Sequence, residues 1–293
     1  MTRLTILPDP QAAAEYAAHE IARALREALD RRGVAHLALS GGNTPRAAYQ
    51  SLAVLLEDWS AVELWYGDER CVGPDDPEST HLLVVESLLA HIPNGERAGP
   101  KEHRVRGELD PETAAREYGE ELRASVAPTE PGDPLSLDIR LSAPDIGLPS
   151  PDIGLPAPDI GLPALDVSLV GIGEDGHTAS LFPGHPEVED SSGALCLPVR
   201  NSPKPPPERV TLSLPVLRAA RYSLLLVAGE GKAEALAAAL AGPDPLVPAS
   251  LLVSERLHVV ADTAAAARVD PDDFSRPTQE SDPGDARTRE REG

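Results

Sequence analysis

Short apolar runs, each closed by a turn and followed by a helical pattern, recur along most of this chain, and that alternation constrains its fold more than any other feature. Residues 4–7 read as a strand. Residues 12–31 follow with Ile21, Leu25 and Leu29 at helical spacing, and Gly33 stands just past their end, where a left-handed cap favours glycine. Residues 36–39 predict a buried strand, 45–56 a helix and Val62–Tyr66 another strand, with helices over 80–91 and Pro111–Ser125. Further strands are expected at 165–170, Arg209–Leu212, Tyr222–Val227 and 257–260, and an Ala-rich helix at 232–241. Strand, turn and helix at these intervals imply an α/β protein with a mostly parallel sheet.

Two stretches break the pattern. Within residues 128–163 a heptad, x-Pro-Asp-Ile-Gly-Leu-Pro, occurs three times in succession, at 143–149, 150–156 and 157–163. A Pro-Asp turn signal every seven residues continues neither a helix nor a central strand, and the unit is too short to build a layer of core. The expectation is a surface-exposed, mobile insertion. Residues 270–293 are Asp, Glu, Arg, Pro and Ser with almost no large apolar side chain, the composition of a disordered acidic tail. Residues 1–269 are thus expected to form a single α/β domain carrying the insertion.

Charge narrows the partners. Lys and Arg total 26 against 48 acidic residues, a formal charge of −22. Such a field repels nucleic acid and anionic membrane surfaces, whereas local cations and backbone N–H groups can still hold a small phosphorylated molecule. No run approaches the ~18 apolar residues of a membrane helix, and residues 1–8 lack the apolar stretch of a signal peptide. A cytoplasmic protein without an obligate protein partner is expected. Cys71 and Cys196 are too few and too far apart for a disulfide framework or a CxxC site, and no Cys/His cluster suggests a metal.

Three junctions place polar groups at the carboxyl end of an expected strand, the edge where open α/β sheets bind ligands. The first is Ser40-Gly41-Gly42-Asn43-Thr44-Pro45. Its glycines admit close backbone approach, Asn43 or Thr44 can cap the helix opened by Pro45, and exposed N–H groups there suit a phosphate. A plain, well-capped β-to-α turn is the alternative. The second is Gly67-Asp68-Glu69-Arg70. Here Arg70 can reach a phosphate, while Asp68 and Glu69 can hold a hydroxyl or fix Arg70; a solvated charge cluster is the competing reading. The third runs from Gly171 to Pro183. Gly171, Gly173 and Gly176 match G-x-G-x-x-G, but Pro183 and Gly184 interrupt any long helix, so a dinucleotide site is not expected. What remains is a glycine turn displaying Asp175 and His177, a carboxylate beside a candidate general base. Lys232, at the start of a helix whose dipole it opposes, and Arg209, opening a strand, are further candidate cations.

In this order the segments resemble the 6-phosphogluconolactonase family of the glucosamine/galactosamine-6-phosphate isomerase superfamily. The resemblance rests on Ser40 to Pro45, Gly67 to Arg70, Gly171 to Pro183, Arg209-Val210-Thr211 and Gly231-Lys232-Ala233, and spans roughly residues 4 to 262. Asn43 stands where the family more usually has serine. The sister deaminases carry Gly-His-Ile-Ala-Phe-Asn-Glu-Pro, with a functional glutamate five residues after the histidine; here that position is Phe182, which moves no proton. The resemblance implies a Rossmann-like sheet and cofactor-free, metal-free hydrolysis of 6-phospho-D-glucono-1,5-lactone to 6-phosphogluconate. It also implies His177 as the base, Asp175 orienting it, and Ser40, Gly41, Gly42, Asn43, Thr44, Asp68, Arg70, Lys232 and Arg209 around the substrate. A deaminase or isomerase of the same fold and a non-catalytic sugar-phosphate sensor are the alternatives.

Overall fold

The computed structural model describes residues 2–93, 99–128 and 161–269. The first strand, β1 (Arg3–Leu7), leads into α1 (Pro10–Arg32). Asp9 caps that helix by accepting the Ala12 N–H at 2.8 Å, Pro10 opens it, and Gly33 at φ 74° closes it with an N–H to Leu29 O. Its buried face is largely alanine (Ala13, Ala14, Ala17, Ala18, Ala22, Ala24), which admits close packing in a chain with 3% aromatic residues. The fully buried β2 (Ala35–Leu39) follows, then α2 (Pro45–Ala53), β3 (Val62–Tyr66), β4 (Asp68–Arg70), α3 (Thr80–Ser87), β5 (Lys101–Glu102) and α4 (Pro111–Ser125). The second half supplies β6 (Val167–Val170), β7 (Cys196–Val199), β8 (Arg209–Leu212), α5 (Leu214–Ala219), β9 (Tyr222–Val227), α6 (Ala233–Leu240) and β10 (Leu257–Asp262).

Seven strands form one parallel sheet in the order β1-β10-β9-β6-β2-β3-β5. From the β2–β6 pair the chain winds one way through β3 and β5 and the other way through β9 and β10. That reversal opens a crevice at the carboxyl ends of β2 and β6, where an open α/β sheet takes its ligand. The expected parallel α/β architecture is present.

A second, antiparallel sheet, β4-β8-β7, departs from the sequence reading. Residues 68–70, expected to be a loop, pair with β8, and β7 was not anticipated. Gly67 joins the two sheets: its N–H bonds Leu39 O at the end of β2, and its carbonyl accepts Leu212 N–H, both at 2.8 Å. The small sheet is therefore fixed to the carboxyl edge of the large one, beside the crevice. The helices expected over 45–56 and 80–91 end earlier, at Ala53 and Ser87, the latter followed by a separate 3₁₀ turn at Leu89–His91. Most of the heptad insertion, and residues 270–293, lie outside the described residues. The insertion's two ends meet: Pro128 and Pro163 form an antiparallel bridge, and Ala164 N–H bonds Ala127 O at 3.1 Å.

Candidate functional site

After β2 the backbone turns through residues 40–44 and enters α2. The buried Tyr49 hydroxyl, one turn into that helix, holds the entry from both sides: it accepts Ser40 N–H at 2.8 Å and donates to Ser40 O at 2.7 Å. Tyr118 does the same to Tyr66 at the end of β3, accepting its N–H at 2.6 Å and donating to its carbonyl at 3.1 Å. Gly42 takes φ 90°, a left-handed conformation costly for other residues. Contrary to expectation, neither Asn43 nor Thr44 caps α2: Thr44 is itself helical (φ −58°, ψ −43°) and makes no side-chain cap bond. Among the described residues no acceptor takes the N–H of Gly41, Gly42, Asn43 or Thr44. Donors left without an acceptor at a helix entrance have the geometry of an anion cradle.

The turn after β6 is closed on itself. Gly173 N–H bonds His177 O at 2.8 Å, Gly176 N–H bonds Gly173 O at 3.1 Å, and Thr178 Oγ1 donates to Gly171 O at 2.9 Å. No helix follows, as the sequence reading required. His177 Nδ1 lies 2.5 Å from Asp175 Oδ1, and the ring packs 4.7 Å from the fully buried Phe182. A Cβ on Gly173 would come within 2.0 Å of His177 Nδ1 and 2.4 Å of Asp175 Oδ1, so that glycine is the space in which the pair meets. Burial lowers the His177 pKa below the ordinary imidazole value, opposed by Asp175. Burial pushes the Asp175 carboxyl up, but the charge and hydrogen bond of His177 and the charge of Lys204 outweigh it, and the net shift is downward.

The remaining candidates occupy the rim. Asp68 is buried on β4 and accepts Ser180 Oγ at 2.6 Å. Glu69 does not face the crevice chemistry: its carboxylate accepts the N–H groups of Arg70, Thr80 and His81 at 2.7–2.8 Å and so anchors the start of α3. Arg70 donates to Glu78 O and lies 3.6 Å from the Glu78 carboxylate. Arg209, a residue type more often exposed, is buried over the Phe182 ring at 5.6 Å, and most of its donors go to neighbouring carbonyls. Lys232 sits in a 3₁₀ turn just before α6; burial lowers its pKa, opposed by Glu174.

Ser40, Gly41, Gly42, Asn43, Thr44, Asp68, Arg70, His177, Arg209 and Lys232 line one cavity of about 300 Å³; Asp175 stands behind His177, off the wall. Ala179, also on the wall, takes the left-handed φ 47°. Sequence reasoning missed Tyr49, Ser180 and Lys204. A lysine set alone among prolines at 203–207 was the signal available for the last, while nothing in the sequence singles out Tyr49.

A parallel α/β sheet with an N–H cradle and a histidine–carboxylate pair on one crevice at its switch point defines an enzyme class acting on small anionic molecules. The family described as glucosamine-6-phosphate isomerases/6-phosphogluconolactonase matches residues 8–261, and the chain belongs to it. A 6-phosphogluconolactonase of Mycobacterium tuberculosis is 35% identical over 274 residues, covering 91% of this chain and 98% of that protein. The crystal structure of a 6-phosphogluconolactonase from Shewanella baltica is 28% identical, with a TM-score of 0.69 over 89% of this chain and 98% of that one. A monomeric glucosamine-6-phosphate deaminase shares the fold at 21% identity and a TM-score of 0.66, covering 91% of this chain. Fold alone therefore does not separate the two branches of the family.

Proposed function

We propose that this chain hydrolyses 6-phospho-D-glucono-1,5-lactone to 6-phosphogluconate, the second step of the oxidative pentose phosphate pathway, with His177 activating the water. One observation carries the choice of chemistry: His177 gives Nδ1 to Asp175 and shares the cavity with the N–H cradle. With its proton on Nδ1, the ring offers the Nε2 lone pair as the base. Burial lowers the imidazole pKa and so favours the neutral ring that can act as the base. Asp175 stabilises the imidazolium that forms as water gives up its proton.

The phosphate rests on the N–H groups of residues 41–44, with Arg70 and Lys232 as cations. Asp68, with Ser180 on one oxygen, takes a sugar hydroxyl. The imidazolium returns its proton to the departing ring oxygen, so the residues end as they began. General-base help is typically worth ~10²–10⁴ in rate, enough for a strained ester that also opens unaided. Each step uses side chains and backbone of this chain. The curated 6-phosphogluconolactonase relatives support the same substrate. The proposal includes a cytoplasmic location; among the described residues no helix is long and apolar enough to cross a membrane.

The deaminase alternative needs an acid–base group where Phe182 packs against His177, and a sensor has no use for the His177–Asp175 pair. The test is hydrolysis of freshly generated 6-phosphoglucono-δ-lactone, with chelator present. A rate far above the spontaneous one is expected, and no turnover of glucosamine 6-phosphate. A lactone rate equal to the spontaneous one sinks the proposal.

A further inference from the structure

Between β7 and β8 the chain runs through Asn201-Ser202-Pro203-Lys204-Pro205-Pro206-Pro207-Glu208, and an unusual share of nearby hydrogen bonding is devoted to holding that loop. The buried Arg209 gives Nε to Pro206 O at 3.1 Å, and Nη2 to Pro205 O at 2.9 Å and Lys204 O at 3.2 Å. Ser202 closes the loop from within: its Oγ donates to Lys204 O at 2.8 Å and accepts Lys204 N–H at 3.2 Å, and its own N–H bonds Pro207 O at 2.9 Å. Prolines have little backbone freedom to lose, so the held loop is stiff.

Three of these bonds converge on the backbone of Lys204. Its Nζ lies 3.7 Å from Asp175 Oδ1, the same oxygen that meets His177 Nδ1. The side chain is 42% exposed, so a fixed stem carries a head free to move. An ordinary surface ion pair contributes little and gives no reason for a buried arginine to fix the lysine's backbone. Of the five N–H groups of Arg209, those on Nε and Nη2 serve the loop, and Nη1, 3.5 Å from Ser180 Oγ and 3.9 Å from Asp68, is lightly engaged. Arg209 acts chiefly through the loop it holds.

We propose that Lys204 is a catalytic cation of the lactone hydrolysis: it rests on Asp175 in the free protein and moves to the lactone carbonyl oxygen as water adds. This rests on the lactonase reading above. Water gives one proton to His177 Nε2 and forms its O–C bond while the carbonyl π pair moves onto oxygen, where the ammonium meets it. The C=O then re-forms, the bond to the ring oxygen breaks, and that oxygen takes the proton from Nε2. The new carboxylic acid loses its proton to solvent, leaving Lys204 facing a carboxylate. While paired with Asp175, the ammonium opposes protonation of His177. Its departure leaves the whole carboxylate charge to the imidazolium at the moment that cation forms.

The experiment is the pH dependence of kcat and kcat/KM on freshly generated lactone, for the whole chain and its Lys204→Met, Lys204→Arg and Asp175→Asn variants, corrected for spontaneous hydrolysis. Absence of wild-type turnover would count against the lactonase reading itself; the variants test Lys204. Lys204→Met is expected to lower kcat by ~10²–10³, the usual loss of one oxyanion partner, with KM changed only a few-fold, and Lys204→Arg to restore part of it. The charged groups acting on His177 are Asp175, Lys204 and Asp68. Removing the cation should move the acid limb of kcat/KM to higher pH, and Asp175→Asn should move it to lower pH. A raised KM with kcat intact makes Lys204 a ground-state contact and overturns the proposal, as does no change in either constant. A kcat loss that arginine does not relieve, with a lowered melting temperature, overturns it in favour of a purely structural loop.

Discussion

After β2 the chain opens through residues 40–44, and among the described residues the N–H groups of Gly41, Gly42, Asn43 and Thr44 meet no acceptor; after the neighbouring β6 it folds residues 171–178 back on themselves, with Gly173 N–H on His177 O, Gly176 N–H on Gly173 O and Thr178 Oγ1 on Gly171 O. Both turns follow adjacent strands, contain glycine and line the same cavity. In the first, Gly42 answers a backbone demand: it sits at φ 90° with open space around the place of its missing side chain. In the second, Gly173 answers a demand for space, because His177 and Asp175 fill the volume a Cβ would need. One turn continues into a helix and the other ends without one. In the proposed mechanism the first recognises with its backbone and the second reacts through side chains, so the same residue type serves binding in one place and catalysis in the other, according to the packing around it.

That division can be broken from either side. The largest effect is expected from Gly173→Ala, whose methyl group forces His177 off Asp175. Hydrolysis should fall by ~10³, within the range for loss of general-base help, while equilibrium binding of 6-phosphogluconate stays near wild type. Calorimetric binding beside initial rates checks both, and a variant that loses affinity as much as turnover would break the comparison. A smaller effect is expected at the other turn. Tyr49→Phe removes both hydrogen bonds that hold Ser40, each worth ~0.5–1.5 kcal/mol net. KM should rise on the order of a few-fold to tenfold and kcat hardly move. A kcat loss without a KM change would mean the clamp serves the reacting end instead.

The parts of the fold that were legible in the sequence are those that local chemistry writes. α1 announces itself by Asp9, Pro10 and Gly33, and the strands lining the crevice by short apolar runs before glycine. β4 was illegible because Asp68, Glu69 and Arg70 look like a solvated loop; their burial comes from pairing with β8, 139 to 143 residues away by the register Asp68 to Thr211 and Arg70 to Arg209. Glu69 shows the same limit: its three N–H partners come from the start of α3 and its own strand, contacts no local pattern encodes. The site divides likewise. His177 and Asp175, two residues apart in a glycine turn, could be read together. Tyr49, Arg209 and Lys204 acquire their roles from geometry set by distant elements: a hydroxyl reaching back to Ser40, and a loop whose carbonyls converge on a buried guanidinium.

The central claim is that the two turns divide the labour, so the most direct measurement is on His177→Ala: turnover of freshly generated lactone beside the dissociation constant for 6-phosphogluconate. The expected result is a rate reduced by ~10²–10⁴, the span of lost general-base catalysis, with the dissociation constant unchanged within a factor of about two to three. Turnover close to wild type, or a loss of affinity that parallels the loss of rate, would contradict it.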